Sequence, residues 1–406
     1  MPVNMGNTKF WHIWSAYAMY YFGRVNLSIV IPVLLATYGL SKYHLGLVAS
    51  GFFFAYAAGQ FLHGQISERF NPITYLAIGL IGSATMNLLL GFSFGFFWIL
   101  FIGEIMDGGF QSMGWSSAVR ANAELSKKNN KNLKRSSCIL GTSYQIGNSA
   151  TWLISSLVVG LFGWQGGFWV ASGFMFIRGI TLLSLSPIIP VKQIKKEPIF
   201  TQLRKVLTLP IVVAGIAMAF LNIIRYGVIV WIPTYLIEVQ GSSIIRTGLK
   251  IFLIPIAGVI GTLAYNKLKV ERHFLTMIFL SFLGIVFAFY GFLTGMISII
   301  LLILSGFFIY GPHVFLVSTF PSKFIDQKKV AATTGFIDGM AYVGAILVGL
   351  LVPFILDITN NNWNIVFASW SISCLIVISL IAFLYLFAKF DGKTAKEIDI
   401  LNNKNN

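Results

Sequence analysis

Twelve long apolar runs divide this chain, and that pattern constrains its fold more than any other feature. They cover residues 10–38, 44–66, 73–92, 96–121, 137–161, 166–188, 209–236, 246–267, 274–294, 296–320, 330–356 and 364–388. A helix needs about 20 mostly apolar residues to cross a bilayer, and each run meets or approaches that length. The runs are continuous rather than alternating with period two, which excludes a membrane β-barrel. Composition agrees: 56% of residues are hydrophobic and only 10% charged, against about 25% charged in soluble domains. Too little polar surface exists to cover a water-soluble body. A soluble enzyme, a secreted disulfide scaffold and a disordered chain are therefore excluded. The expected fold is an all-α polytopic membrane protein with 12 transmembrane helices.

The formal net charge of +16 invites a nucleic-acid partner, but the placement of the charges argues against one. Of 29 Lys and Arg residues, counting run edges with the loops beside them, 23 fall in alternate loops and tails, 3 in the opposite loops and 3 well inside apolar runs. This alternation is the positive-inside rule, which sets orientation by Lys/Arg bias in short loops. It predicts that the basic loops and both termini face the cytoplasm, in a cell (inner) membrane. Lys127, Lys128, Lys131, Lys134, Arg135, Lys192, Lys195, Lys196, Arg204 and Lys205 carry much of that bias. The first apolar run is too long for a cleaved leader and continues into further spans. Cys138 and Cys374 are read as small buried hydrophobes rather than as a disulfide or a metal site.

The longest central break in hydrophobicity, 189–208, is rich in Lys and Pro. It divides the chain into a first six-helix bundle (1–188), a basic cytoplasmic linker (189–208), a second six-helix bundle (209–388) and a polar tail (389–406) expected to be disordered. The halves echo each other faintly. Arg24-Val-Asn-Leu-Ser-Ile-Val-Ile-Pro32 and Arg225-Tyr-Gly-Val-Ile-Val-Trp-Ile-Pro233 each place an Arg eight residues before a Pro, in the first helix of each half. That fits the repeated halves of the major facilitator architecture, whose substrate site lies between the repeats.

Six charged residues lie well inside the runs, away from their edges: Arg24, Glu104, Asp107, Arg178, Arg225 and Asp338. A charge inside a membrane is costly and marks function by default. Arg24 and Arg225, at matching places in the two halves, are expected to meet a small anionic substrate through forked hydrogen bonds to phosphate or carboxylate. The alternative is that each pairs permanently with an acid such as Asp107 or Asp338. Glu104 and Asp107 lie three residues apart, on one helix face. Burial disfavours the charged form of a carboxyl, which makes Asp107 a proton-coupling candidate and Glu104 a charge partner. Asp338, in the Gly/Ala-rich stretch 331–349, is a coupling acid or the partner of a cavity Arg. Arg178 is read as structural. His313 follows Gly311-Pro312 and is either a titrating group or a packing residue beside a kink. Tyr20, Tyr21, Asn26, Tyr56, Tyr144, Gln145, Asn222, Tyr226 and Tyr342 interrupt apolar helices, and several are expected to line the cavity.

Gly64-Gln-Ile-Ser-Glu68-Arg69 places a Gly four residues before an acid and a base, in a loop between helices. The Gly permits tight contact and the charges can lock one conformation, so Gly64, Glu68 and Arg69 form a candidate gating loop. The sequence contains no phosphate-cradling Gly loop, nucleophile elbow or Cys/His metal spacing. No enzymatic activity, cofactor or metal is expected, and a gradient must supply the energy.

Several stretches resemble the organophosphate:phosphate antiporters, the glycerol-3-phosphate and hexose-phosphate carriers of the major facilitator superfamily. They are Tyr20-Tyr-Phe-Gly-Arg24-Val-Asn26, Phe110-Gln-Ser-Met-Gly-Trp115, Arg225-Tyr-Gly-Val-Ile-Val-Trp231-Ile-Pro233-Thr-Tyr235-Leu, Ile309-Tyr-Gly-Pro312 and the run 331–344. The resemblance spans nearly the whole chain. It implies the major facilitator fold of two six-helix bundles, with Arg24 and Arg225 as the two phosphate-gripping arginines. There are departures. Those antiporters usually carry a Lys in helix 2, where this chain has Gln60, and the glycerol-3-phosphate carriers have a His in helix 5, where it has Tyr144. Tyr56-Ala-Ala-Gly-Gln60 and Arg24-Val-Asn-Leu-Ser28 are similar to the anion:cation symporters, and Asp107 falls where that family carries an acid. The helix 1 acid of those symporters, just before the Arg, is Gly23 here.

These readings predict a monomeric secondary transporter of small organic anions by alternating access. Organophosphate/phosphate exchange is the first expectation, with Arg24, Arg225, Tyr20, Asn26, Tyr56, Gln60, Tyr144, Tyr226 and His313 at the substrate site. Proton-coupled symport of carboxylate or sugar-acid anions and non-transporting sugar-phosphate sensing are the alternatives.

Overall fold

A computed structural model describes residues 8–66, 70–128, 133–185, 207–321 and 330–404. Among them there is no strand. The first half contains α1 (Thr8–Tyr38), α2 (Lys42–Ile66), α3 (Pro72–Leu90), α4 (Phe97–Gln111), α5 (Gly114–Lys128), α6 (Leu133–Phe162) and α7 (Trp164–Leu185). The second contains α8 (Leu209–Glu238), α9 (Ile244–Ile251), α10 (Leu253–Lys267), α11 (Arg272–Tyr290), α12 (Gly295–Val314), α13 (Val330–Ile358) and α14 (Trp363–Lys404). The pairs α4/α5 and α9/α10 each make one crossing, so the fourteen helices give twelve.

Local chemistry explains the two interrupted crossings, which the apolar pattern predicts as single runs. Gly108, Gly109 and Gly114 surround the break after Gln111, and Gly is a poor helix former. Pro255 lacks an N–H and crowds the carbonyl four residues back, at Ile251, where α9 ends. Pro312 sits near the end of α12, and a π-helical turn, Phe315–Thr319, follows. By contrast, α3 starts cleanly: Asn71 accepts hydrogen bonds from the N–H groups of Ile73 and Thr74, and Pro72 occupies the first turn.

Ten helical stretches are long and apolar enough to cross a membrane. The other two crossings are α2, which carries Lys42, His44, Gln60 and His63, and the broken α4/α5. Leu161, Ile177, Phe282 and Leu375 point outward and are exposed, as a lipid-facing surface requires.

Both halves pack by the same scheme. In the first, α1 packs on α6 and α7, α2 on α4, and α3 on α7. In the second, α8 packs on α13 and α14, α10 on α12, and α11 on α14. Each pair in one half is the pair six crossings later in the other. Between halves, α2 packs on α13 and α6 on α9 and α10.

That inter-half packing is tight at the end opposite the basic loops. Lys42 pairs with Glu238 at 2.9 Å and donates to Asn361 at 2.9 Å. Deeper, Ser50 donates to the Ile346 carbonyl at 2.8 Å and Ser149 to the Phe252 carbonyl at 2.6 Å. At Gly46 the two helices cross so closely that a Cβ would collide with the Gly349 carbonyl and the Pro353 ring.

Three expectations change. Cys374 is buried, but Cys138 is exposed, because it lies in the first turns of α6 at the basic end. The tail is not irregular: α14 continues through 389–404, where Ala395, Lys396, Glu397 and Leu401 are good helix formers and no Pro intervenes. Gly64 lies in the last turn of α2 rather than in a loop, while Glu68, Arg69 and the linker residues 189–206 lie outside the described residues.

Candidate functional site

The two intramembrane arginines sit at equal depth. Arg24 lies 16 residues after Thr8 in α1, and Arg225 lies 16 residues after Leu209 in α8. At 1.5 Å per residue, each is about 24 Å from the basic end of its helix, near mid-membrane. Both side chains are 7% exposed, and neither forms a salt bridge among the described residues. A permanent ion pair with Asp107 or Asp338 is thus absent from this structure.

Aromatic rings take the place of counter-ions. The Arg24 guanidinium carbon lies 4.7 Å from the Tyr21 ring centre and 4.3 Å from that of Tyr56. Arg225 lies 5.5, 5.2 and 5.4 Å from the rings of Tyr144, Tyr226 and Tyr310. The negative faces of these rings attract a cation without neutralising it. A formal positive charge therefore remains available to a ligand.

The two arginines differ in access. A cavity of about 310 Å³ lies between the halves, toward the basic end. Arg225, Tyr56, Gln60, Tyr144, His313 and Asp338 line it. Arg24 stands one layer behind, against Tyr21 and Tyr56, which do line it. Arg225 shares a hydrogen bond of 3.1 Å with His313 Nε2 and donates to Asn222 Oδ1 at 3.4 Å, while its buried Nε has no partner. His313 must accept through Nε2, so its ring is neutral in this geometry with the proton on Nδ1. The π-helical turn after Pro312 belongs to the same stretch of backbone.

Three residues assigned to the substrate site do not line this cavity. Tyr20 is fully buried and donates to the Leu76 carbonyl at 2.8 Å, tying α1 to α3. Asn26 donates to Asn87 Oδ1 at 2.8 Å, another α1–α3 tie. Tyr226 packs across the halves on Phe53 and on Tyr342, with ring centres 4.6 and 6.2 Å away, and so stands behind two groups of the cavity wall, Tyr342 and Arg225. Tyr20 and Asn26 face their own bundle, so helix packing consumes their polar groups, whereas Tyr226 faces the partner half.

Asp107 is sealed inside the first bundle, fully buried. It accepts hydrogen bonds from Ser83 Oγ and from Asn87 Nδ2, the latter at 2.9 Å. Glu104 is 2% exposed, and its Oε1 has no partner. No Arg pairs with Glu104 among the described residues, contrary to the structural role considered for it. Arg178 donates to the His12 carbonyl at 2.7 Å, remote from the cavity.

Sequence reasoning missed the group that joins these parts. Gln111 accepts from Arg24 Nε at 3.3 Å and Nη2 at 3.2 Å through one oxygen. Its amide nitrogen donates to the Tyr20 carbonyl and to Ser83 Oγ, both at 2.9 Å. One signal was available. Ser83 and Asn87 are four residues apart in α3, as are Asp107 and Gln111 in α4, so each pair forms a polar stripe on one face of an apolar helix.

Comparison with known proteins follows the same lines. The profile of the Major Facilitator Superfamily matches residues 13–349. The glycerol-3-phosphate transporter of Bacillus subtilis (strain 168) is 28% identical over 414 residues, covering 91% of this chain and 90% of the relative. A probable hexose phosphate transport protein of Chlamydia pneumoniae is 25% identical over 405 residues, covering 86% of each chain. The membrane sensor protein UhpC of Escherichia coli (strain K12) is 24% identical over 394 residues, covering 89% of this chain and 88% of the relative. Among solved structures, a bacterial homolog of the human lysosomal transporter Spinster superposes with a TM-score of 0.74 at 13% identity, covering 96% of this chain and 98% of that one. That likeness concerns the fold alone.

Proposed function

Because the chain belongs to the Major Facilitator Superfamily, we propose that it is a secondary transporter that exchanges a small organophosphate for inorganic phosphate by alternating access. The observation that carries this reading is the uncompensated positive charge of Arg225 on the cavity wall, with a buried Nε that lacks a partner. A phosphate oxygen would supply the missing acceptor and the missing charge together. The rings of Tyr56 and Tyr144 offer apolar faces and hydroxyls to the carbon skeleton of an ester. The cavity volume, about 310 Å³, is at the low end for ligand pockets, about 300–1,000 Å³, and suits a small anion. The names of the Bacillus and Chlamydia relatives support the phosphate ester class.

On this reading the basic end faces the cytoplasm, with both termini there, in the inner membrane of a cell. The cavity is then open inward, and the Lys42–Glu238 end closes the outside. The two repeated six-helix halves, working as a monomer, would rock about Arg24 and Arg225. No chemical change of the substrate is involved.

Two other readings each have one observation behind them. Proton-coupled symport of a carboxylate or sugar-acid anion is favoured by the sealed Asp107, which reaches Arg24 through Ser83 and Gln111. Sugar-phosphate sensing without transport is favoured by the 24% identity to a membrane sensor protein. The deciding experiment is uptake of labelled phosphate into proteoliposomes, either preloaded with phosphate or empty, with and without an inward proton gradient. Exchange requires internal phosphate and ignores the gradient. Uptake into empty vesicles driven by the gradient would replace exchange with symport, and saturable binding without uptake would replace it with sensing.

A further inference from the structure

We propose that Gln111 is a positioning residue for Arg24: it holds one edge of the guanidinium so that the donors of the opposite edge, beside Tyr21 of the cavity lining, stay available to the anion. This rests on the anion-binding reading above, but it makes a claim about Arg24 that can be tested without transport.

The five N–H donors of a guanidinium fork lie in one plane, and an anion is gripped well only if that plane is held still. Among the described residues Arg24 has no carboxylate to hold it. Tyr21 and Tyr56 attract the cation through their faces, but ring faces do not fix rotation about the side-chain axis. Gln111 Oε1 does fix it, because it receives Nε and Nη2 together, at 3.3 and 3.2 Å. Among the described residues Nη1 meets only the Tyr21 hydroxyl, at 3.3 Å, so the edge away from Gln111 keeps donor capacity for a ligand.

The amide is itself held. Gln111 is fully buried, and its nitrogen is bound by the Tyr20 carbonyl and Ser83 Oγ. Those bonds also orient the amide: the nitrogen must face the two acceptors, so the oxygen must face Arg24. A neutral acceptor suits this task better than an acid would. A carboxylate here would hold the fork equally well but would neutralise it, and the anion would lose its partner.

Two variants separate holding from charge. Gln111→Leu removes the acceptor, and Gln111→Glu keeps an acceptor but adds a negative charge. The first readout is the rate at which phenylglyoxal modifies Arg24, followed by peptide mass spectrometry, with Arg225 in the same molecules as the internal reference. The second is the KM and Vmax of phosphate exchange in proteoliposomes. In Gln111→Leu, modification of Arg24 rises several-fold relative to Arg225. Its phosphate KM rises about tenfold, while Vmax stays within about threefold of wild type. In Gln111→Glu, Arg24 is modified as slowly as in wild type, yet phosphate affinity falls at least about tenfold.

The inference is overturned if Arg24 modification in Gln111→Leu is unchanged, or if Arg24 and Arg225 rise together, which would mean general loosening. If Gln111→Leu does not fold, Gln111→Glu decides alone, and wild-type phosphate affinity in that variant would overturn the inference. Wild-type protein that neither binds nor exchanges phosphate would remove the proposed function, while the modification ratio would still judge the role of Gln111.

Discussion

Replacing Arg225 by Gln should cost ligand binding but little stability, and the structure supplies the terms. Three tyrosine rings lie within 5.2 to 5.5 Å of the guanidinium. Such contacts contribute about 0.5–1 kcal/mol each when exposed and about 2 when desolvated, so the three together contribute about 1.5–6 kcal/mol. Against this stands the cost of burying a cation at 7% exposure, which is several kcal/mol even after relaxation. The two nearly cancel. Without ligand, Arg225→Gln should therefore shift stability by less than about 2 kcal/mol in either direction. An arginine in a buried ion pair would instead cost about 3–5 kcal/mol when removed. Ligand binding behaves differently. At a phosphate concentration 100 times its Kd, wild-type protein gains about 2.7 kcal/mol by mass action. The variant loses a charge-assisted contact worth about 2–5 kcal/mol, and nearly all of that gain disappears. The assay is thermal unfolding of the purified protein with and without phosphate, with the exposed Thr85→Ala, away from the cavity, as the control. The reasoning is refuted if Arg225→Gln keeps the phosphate-induced rise in Tm, or if its ligand-free Tm collapses as an ion-pair variant's would.

Other outcomes follow from the closed end and from one helix cap. The Lys42–Glu238 pair, with side chains 18% and 31% exposed, should contribute at most about 1 kcal/mol. Lys42→Glu should weaken closure of that end and Lys42→Glu/Glu238→Lys restore it, as read by maleimide labelling of a Ser50→Cys reporter. Gly46→Val cannot fit against Gly349 and Pro353, so the same reporter should label about tenfold faster, a shift of about 1.4 kcal/mol toward a form open at that end. Unchanged labelling would show that this crossing does not govern closure. Glu271 caps α11 by accepting from the N–H groups of His273 and Phe274, and Glu271→Ala should cost about 1 kcal/mol in a denaturant melt. Partial burial pushes the Glu271 carboxyl up, but hydrogen bonds from the His273 ring and from those N–H groups outweigh it and hold the carboxyl below its usual range. Its stabilising effect is therefore complete above the unfolded value, about 4.3, and fades as pH falls through the folded one. A melt whose acid sensitivity is identical in Glu271→Ala would contradict this.

Much of this protein was legible in its sequence, because a bilayer leaves few choices. Backbone groups in hydrocarbon must bond within their own segment, so twelve apolar runs dictate twelve crossings. The spacing of Arg24 to Pro32 and of Arg225 to Pro233 revealed the repeat, since charge inside hydrocarbon is retained only at a cost. Side-chain direction was not legible. Tyr20, Asn26 and Tyr56 belong to the same kind of apolar helix, yet Tyr20 and Asn26 bind α3 while Tyr56 lines the cavity. Which face of a helix meets its own bundle, and which meets the other half, depends on packing partners hundreds of residues apart. The tertiary structure alone made three decisions. It set Arg24 behind Tyr21 and Tyr56 while Arg225 reaches the cavity wall. It gave the arginines tyrosine rings instead of acids. It also joined Asp107 to Arg24 through Ser83 and Gln111. The physical reason is range: hydrophobicity and charge act at each residue and can be read one position at a time, whereas a hydrogen-bond network exists only once three helices have come together.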